Sequence, residues 1–166
     1  MKTLIKNGLL IDPANQVQAY LNLVLEDGKV AAVTEEEPET DKVIDATGKV
    51  VTPGFIDIHM HEDPVKDGKI EFCIFDAMLR MGVTTAVGGN CGINVYDPVK
   101  YLDMVEKDGA PVNVMLFAGH QYFREAAGAL DKYVPVTKEQ QEHMKKGLEK
   151  ALEAGCVGIY YGLRYV

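Results

Sequence analysis

The sequence is short of positive charge, histidine, cysteine and long apolar runs, and each shortage excludes something. Seventeen Lys and Arg face 25 Asp and Glu, a formal net charge of −8. Nucleic acids and anionic membrane surfaces are recognised by clustered Lys and Arg, so neither partner is expected. No apolar run approaches the ~20 residues of a membrane-spanning helix. The opening MKTLIKNGLLIDP lacks a sustained apolar signal core and a small-residue cleavage site. A cytoplasmic protein is therefore expected. Cys73, Cys91 and Cys156 are odd in number and show no framework spacing, so they read as reduced thiols. No repeat of ~20–50 residues is evident. GGNCGI lacks the spacing of a dinucleotide-binding glycine loop, and no P-loop Gly-Lys-Ser/Thr occurs.

What remains is about 47% hydrophobic residues in 166, enough for roughly one globular domain with a real core. The first fifty residues read as short antiparallel strands. Asn7-Gly8 is a turn between apolar runs, and Asp27-Gly28 is a strong hairpin signal, because both turn positions need φ > 0. EEEPETD, residues 35–41, is a solvated acidic loop. Residues 1–52 are expected to form a small β-sandwich-like module.

From Pro53 the pattern changes to an α/β alternation. Residues 54–59 read as a strand, 71–81 as a helix ended by Gly82, and VTTAVGGN as a second strand. Asp97-Pro98 opens a second helix running to about Lys107, and VNVMLFAGH is a third strand. TKEQQEHMKKGLEKALEAG is the clearest helix, with Thr137 and Gln140 as a capping box and Gly155 as a stop. CVGIYYG is a fourth strand. The order β-α-β-α-β-α-β implies a parallel sheet with right-handed crossovers.

Sites in such sheets form at the carboxyl ends of strands. GFIDIHMHED places His59 and His61 at one of these ends, half of the four histidines in the chain. On a continuing strand the two would share a face, ~6.6 Å apart, where two imidazoles can hold one metal ion. Cys91, at the end of the second strand among glycines, is the thiolate candidate, a good zinc ligand. Cys73 and Cys156 read as small buried apolar residues. Asp57 reads as a buried, hydrogen-bonded support, Glu62 and Asp63 as solvated loop charges, and His143 as a surface residue. His120 and Arg124 are expected to take a structural ion-pair or hydrogen-bond role rather than to touch substrate, and Tyr160 and Tyr161 to make core and helix contacts.

These residues carry a resemblance. VTPGFIDIHMH resembles the first-strand signature of the amidohydrolase superfamily. GVTTAVGGNCGI, GHQYFR and ALEAGCVGIYYGLRY are similar to segments of its D-aminoacylase group, the N-acyl-D-amino-acid deacylases. The likeness runs from about Lys6 to the last residue. It implies a (β/α)8 barrel with zinc, one or two ions, at its mouth. His59 and His61 would be ligands, and Cys91 would take the role a modified strand-four lysine fills in many relatives. Tyr165 would bind a substrate carboxylate. The implied reaction is amide hydrolysis of a small N-acyl amino acid, in which zinc polarises the carbonyl and activates water while a strand-eight aspartate moves the proton.

The chain departs from that pattern at its length. Four β/α strands are expected in residues 53–166, where a barrel needs eight and ~250 residues. The later histidines and the catalytic aspartate have no counterpart, so no catalytic residue is assigned. The expectation is the N-terminal half of such a hydrolase, inactive alone. The alternatives are half of an assembly of copies, a dihydroorotase- or hydantoinase-like cyclic amidase, or a non-catalytic metal-binding half-barrel that docks onto a partner.

Overall fold

Leu4, Leu10, Val24 and Ala46 are the buried apolar side chains around which the first fifty residues are arranged. The structure, a computed structural model, describes residues 1–163. They fall into two compact units, Met1–Pro53 and the residues from Gly54 onward. The first unit contains β1 (Lys2–Lys6), β2 (Leu9–Asp12), β3 (Val17–Tyr20), β4 (Asn22–Glu26), β5 (Lys29–Thr34), β6 (Lys42–Asp45) and β7 (Val50–Val51). They make a four-stranded sheet in the order β5-β4-β1-β6 and a three-stranded sheet in the order β3-β2-β7. Asp27 and Gly28, at φ 50° and 76°, close the β4–β5 hairpin in the left-handed geometry such a turn demands. Asn7-Gly8 is a turn of a different kind. It carries the chain from β1 in one sheet to β2 in the other. Apolar side chains of both sheets, among them Ile5, Leu10, Leu23, Leu25 and Val51, line a shared cavity of about 420 Å3.

The second unit contains β8 (Phe55–Asp57), β9 (Val65–Lys66), β10 (Lys69–Ile70), α1 (Ile74–Arg80), β11 (Val83–Gly88), α2 (Pro98–Asp108), β12 (Asn113–Gly119), α3 (His120–Ala126), α4 (Lys138–Glu153) and β13 (Gly158–Tyr160). Strands β8, β11, β12 and β13 form a parallel sheet in the order β13-β12-β11-β8, a partial half-barrel wall. Helices supply the apolar cover: Phe75 and Met78 from α1, Tyr101 from α2 and Ala151 from α4 pack with Ala86, Leu116 and Ala118 of the strands. Among the described residues, no helix is long and apolar enough to cross a membrane.

Caps fix the helix starts. Asp97 accepts from the amides of Val99 and Lys100, with Pro98 in the first helical turn. The Thr137–Gln140 capping box opens α4 with reciprocal bonds of 3.0 and 3.2 Å.

Four expectations need correction. The strand predicted over 54–59 stops at Asp57, because its carboxylate turns back to accept the His59 N–H at 2.9 Å. Helix α1 begins at Ile74, since the preceding residues are taken by the β9–β10 hairpin and a loop. A short helix, α3, follows β12 directly, where the sequence suggested only a segment. Glu62 and Asp63 are not solvated charges; they are 2% and 0% exposed.

Candidate metal centre at the strand ends

The carboxyl ends of β8 and β11 bring His59 and Cys91 together. Cys91 Sγ lies 3.8 Å from His59 Nε2. Cys91 sits in a tight turn, Asn90–Gly92, with φ 59° and ψ 11°. A side chain in left-handed backbone is held there by its surroundings, and such positions cluster at functional sites. The His59 ring also meets the Tyr160 ring of β13 edge-on, at 6.3 Å between centroids. Tyr160 in turn packs edge-on against Phe117 of β12 at 5.7 Å. The imidazole thus meets groups at the ends of β11 and β13, and Phe117 of β12 backs the tyrosine.

The donor chemistry of this pair fits zinc. Zinc–nitrogen and zinc–sulfur bonds in a tetrahedron set the two donor atoms about 3.6 Å apart, close to the 3.8 Å found. The fit is partial. Among the described residues, no three His, Cys, Asp or Glu side chains converge in one cluster. His61 is exposed and lies past the end of β8, so the shared-face argument drawn from a continuing strand does not hold for it. Tyr165 lies outside the described residues.

The two acids after His61 hold the loop in place. The Asp63 carboxylate accepts the amides of Cys73, Ile74 and Phe75 at 3.0, 2.7 and 3.0 Å, and the Cys73 thiol at 3.0 Å. Burial opposes its ionisation, but these hydrogen bonds outweigh it and hold the carboxyl below its ordinary value. They also push the Cys73 thiol up, and Cys73 is exposed rather than buried as expected. The Tyr101 hydroxyl donates to the Asp63 carbonyl at 3.1 Å, and burial with the nearby Asp63 charge raises its pKa. Glu62 accepts from Asn94 Nδ2 at 2.7 Å. Burial pushes its carboxyl up, against that hydrogen bond.

Sequence reasoning missed Glu62, Asn90 and Asn94. Asn90 Nδ2 donates to the Val87 and Met60 carbonyls at 2.7 and 3.2 Å, tying the Cys91 turn to the loop between His59 and His61. The one sequence sign was two asparagines flanking Cys91 so closely. His120 and Arg124 are not bonded to each other, but Arg124 does take a structural hydrogen bond. Arg124 Nη2 donates to the Asp131 carbonyl at 3.0 Å, while burial and the Arg124 charge lower the His120 pKa. Tyr161 is exposed, its ring tilted against that of His120 at the start of α3, and His143 is exposed as expected.

The sequence profile of the Amidohydrolase family matches residues 42–160, and the chain belongs to that family. It is 29% identical to the N-acyl-D-glutamate deacylase of Alcaligenes xylosoxydans xylosoxydans over 97% of this chain and 37% of that protein. It is 43% identical to the dihydroorotase of Elusimicrobium minutum over 51% of this chain and 20% of that one. Among solved structures, it resembles the N-acyl-D-glutamate deacylase of Bordetella bronchiseptica, which holds zinc and a phosphonate inhibitor. The TM-score is 0.81 at 30% identity, over 97% of this chain and 38% of that chain. A D-aminoacylase with a binuclear metal centre gives 0.85 at 26% identity, over 99% of this chain and 39% of that chain. The chain therefore spans well under half the length of these deacylases.

Proposed function

We propose that this chain is the N-terminal portion of a zinc-dependent hydrolase of the N-acyl-D-amino-acid deacylase type. In this reading, residues 1–52 are part of a small β-sandwich module and 53–166 are the first four β/α units of an eightfold barrel. The observation that supports it best is the 3.8 Å approach of His59 Nε2 to Cys91 Sγ at adjoining strand ends. His59, His61 and Cys91 are the proposed ligands, and Tyr165 the proposed contact for a substrate carboxylate. A zinc ion held there would polarise the amide carbonyl and acidify water. The chain's own part is to hold ligands. Asp57 fixes the His59 backbone, and Asn90 ties the Cys91 turn to the histidine loop. Asp63 anchors that loop to the start of α1. No carboxylate here is placed as a general base, so the isolated chain binds metal without turning over substrate.

Native mass spectrometry of the purified chain tests this. One or two zinc ions retained by the wild type, and lost in Cys91→Ala, are expected. Hydrolysis of N-acetyl-D-amino acids by the 166 residues alone, stopped by a chelator and by His61→Ala, would overturn the assignment of an incomplete site. The dihydroorotase likeness supports a second reading, a cyclic amidase. Such enzymes usually use a strand-four lysine, and GIYYGLRY offers none.

A further inference from the structure

Asn94 uses its whole side-chain amide on two other segments of the chain. Its Nδ2 donates to Glu62 Oε1 at 2.7 Å and to the Phe117 carbonyl at 3.1 Å. Its Oδ1 accepts the Gly119 N–H at 2.7 Å. Glu62 lies between His61 and Asp63 on the loop leaving β8, Asn94 follows the Cys91 turn, and Phe117 and Gly119 belong to the end of β12. One buried side chain therefore joins the exits of three neighbouring strands.

The backbone around the pair is cleared for it. A Cβ on Gly88 would meet Glu62 Cγ at 2.8 Å, and one on Gly89 would approach Asn94 Nδ2 at 3.0 Å. The first contact is closer than a well-packed interior tolerates, and the second is tight. Gly88 thus makes room for the Glu62 carboxyl, while Gly89 lies closest to the Phe117 carbonyl, with the Asn94 amide beside it. Glu62 Oε2 and Asn90 Oδ1 are buried without a protein partner. The interior of this site is polar, and Asn94 is the side chain that organises it.

We infer that Glu62 and Asn94 are positioning residues that set the spacing between the His59–His61 loop and Cys91. The role rests on the proposed metal site for its purpose, but the geometry it controls exists in the metal-free chain. Groups behind metal ligands fix ring and thiol orientation, and their removal typically weakens binding by about 10–100-fold. Asn94→Ala cuts all three bonds. Asn94→Asp keeps the size, loses both donors and sets two carboxyls face to face. Glu62→Gln keeps an acceptor oxygen for Asn94 and removes only the charge.

The test is carried out on isotope-labelled chain without metal, and then with cobalt(II). In wild type, a nuclear Overhauser contact is expected between the His59 ring protons and the Cys91 β-protons. It should vanish in Asn94→Ala and Asn94→Asp and survive in Glu62→Gln, while the amide spectrum of α4 stays in place in all three as the folding control. On cobalt titration, the thiolate-to-cobalt absorption band of wild type should need about 10–100-fold more metal in the two Asn94 variants. An unchanged His59–Cys91 contact in a folded Asn94 variant would overturn the inference. A clear contact in wild type with no cobalt uptake would instead sink the metal site and leave the positioning role standing. Should Asn94→Ala not fold, Asn94→Asp decides by the same contact.

Discussion

The Asp63 carboxylate accepts the backbone N–H of Phe75, twelve residues further along the chain, at 3.0 Å. With the amides of Cys73 and Ile74 on the same carboxylate, α1 is capped by a residue far outside its own first turn. Cys73, at the capping position itself, makes no side-chain cap bond. Asp63→Ala would strand three N–H groups next to a buried loop, and a loss of about 2–4 kcal/mol is expected. Asp63→Asn retains an acceptor and should lose less. Urea unfolding of the two variants checks the order. A loss below about 0.5 kcal/mol in Asp63→Ala, the range of ordinary surface changes, would show that water replaces the cap.

Zinc should stabilise the chain, because a ligand that binds only the folded state raises the unfolding free energy. At a hundredfold excess over Kd the gain is about 2.7 kcal/mol. A thermal melt with zinc should rise and return on adding a chelator. His59→Ala and Cys91→Ala should each abolish the rise, since either leaves one donor of the 3.8 Å pair. A rise that persists in both variants would place the metal elsewhere.

The sequence displayed the α4 capping box and the Asp27-Gly28 hairpin, because local chemistry fixes each, and the parallel sheet, because strands alternating with helices leave it few other arrangements. It also displayed the His59–Cys91 pair, through strand ends that a parallel sheet must align. It could not display the burial of Glu62 and Asp63. Acids in a loop are usually solvated, and these two are buried only because Asn94 and the α1 amides, many residues away, receive them. The end of β8 at Asp57 was hidden for a similar reason. An apolar run continued through Ile58, but one side-chain bond from Asp57 to the His59 amide ended the pairing. Helix α3 was obscured by its short length, seven residues directly after a strand.

In the first unit, Asp45 offers a pH test. Its carboxyl accepts the Thr47 hydroxyl, the Asn7 amide and the Thr47 N–H, which together lower its pKa from 3.8 to about 2. A depressed carboxylate contributes stability that is complete above its unfolded value and lost as pH falls through its folded value. The window is therefore pH 4 down to 2. Thermal melts of wild type should fall across it more steeply than those of Asp45→Asn, which has no charge to lose. Parallel curves would show that the exposed bonds do not persist in solution.

Gly89 tests the close packing behind the site. Its φ is 78°, and an added Cβ would clash with the Phe117 carbonyl oxygen. Backbone, unlike a flexible side chain, cannot swing aside. Gly89→Ala therefore adds the left-handed penalty, about 1–2 kcal/mol, to an overpacking cost of about 1–3 kcal/mol. Thr137→Ala, which removes the α4 capping box far from these strand ends, should cost only about 1 kcal/mol and serves as the contrast. If destabilisation alone governed metal uptake, folded Gly89→Ala would bind like folded Thr137→Ala once both were stabilised by osmolyte. The expected result is weaker zinc binding in Gly89→Ala alone, because its shift displaces the turn that carries Cys91. Isothermal titration of both variants with zinc decides it, and equal affinities would mean the turn accommodates the methyl group without moving the thiol.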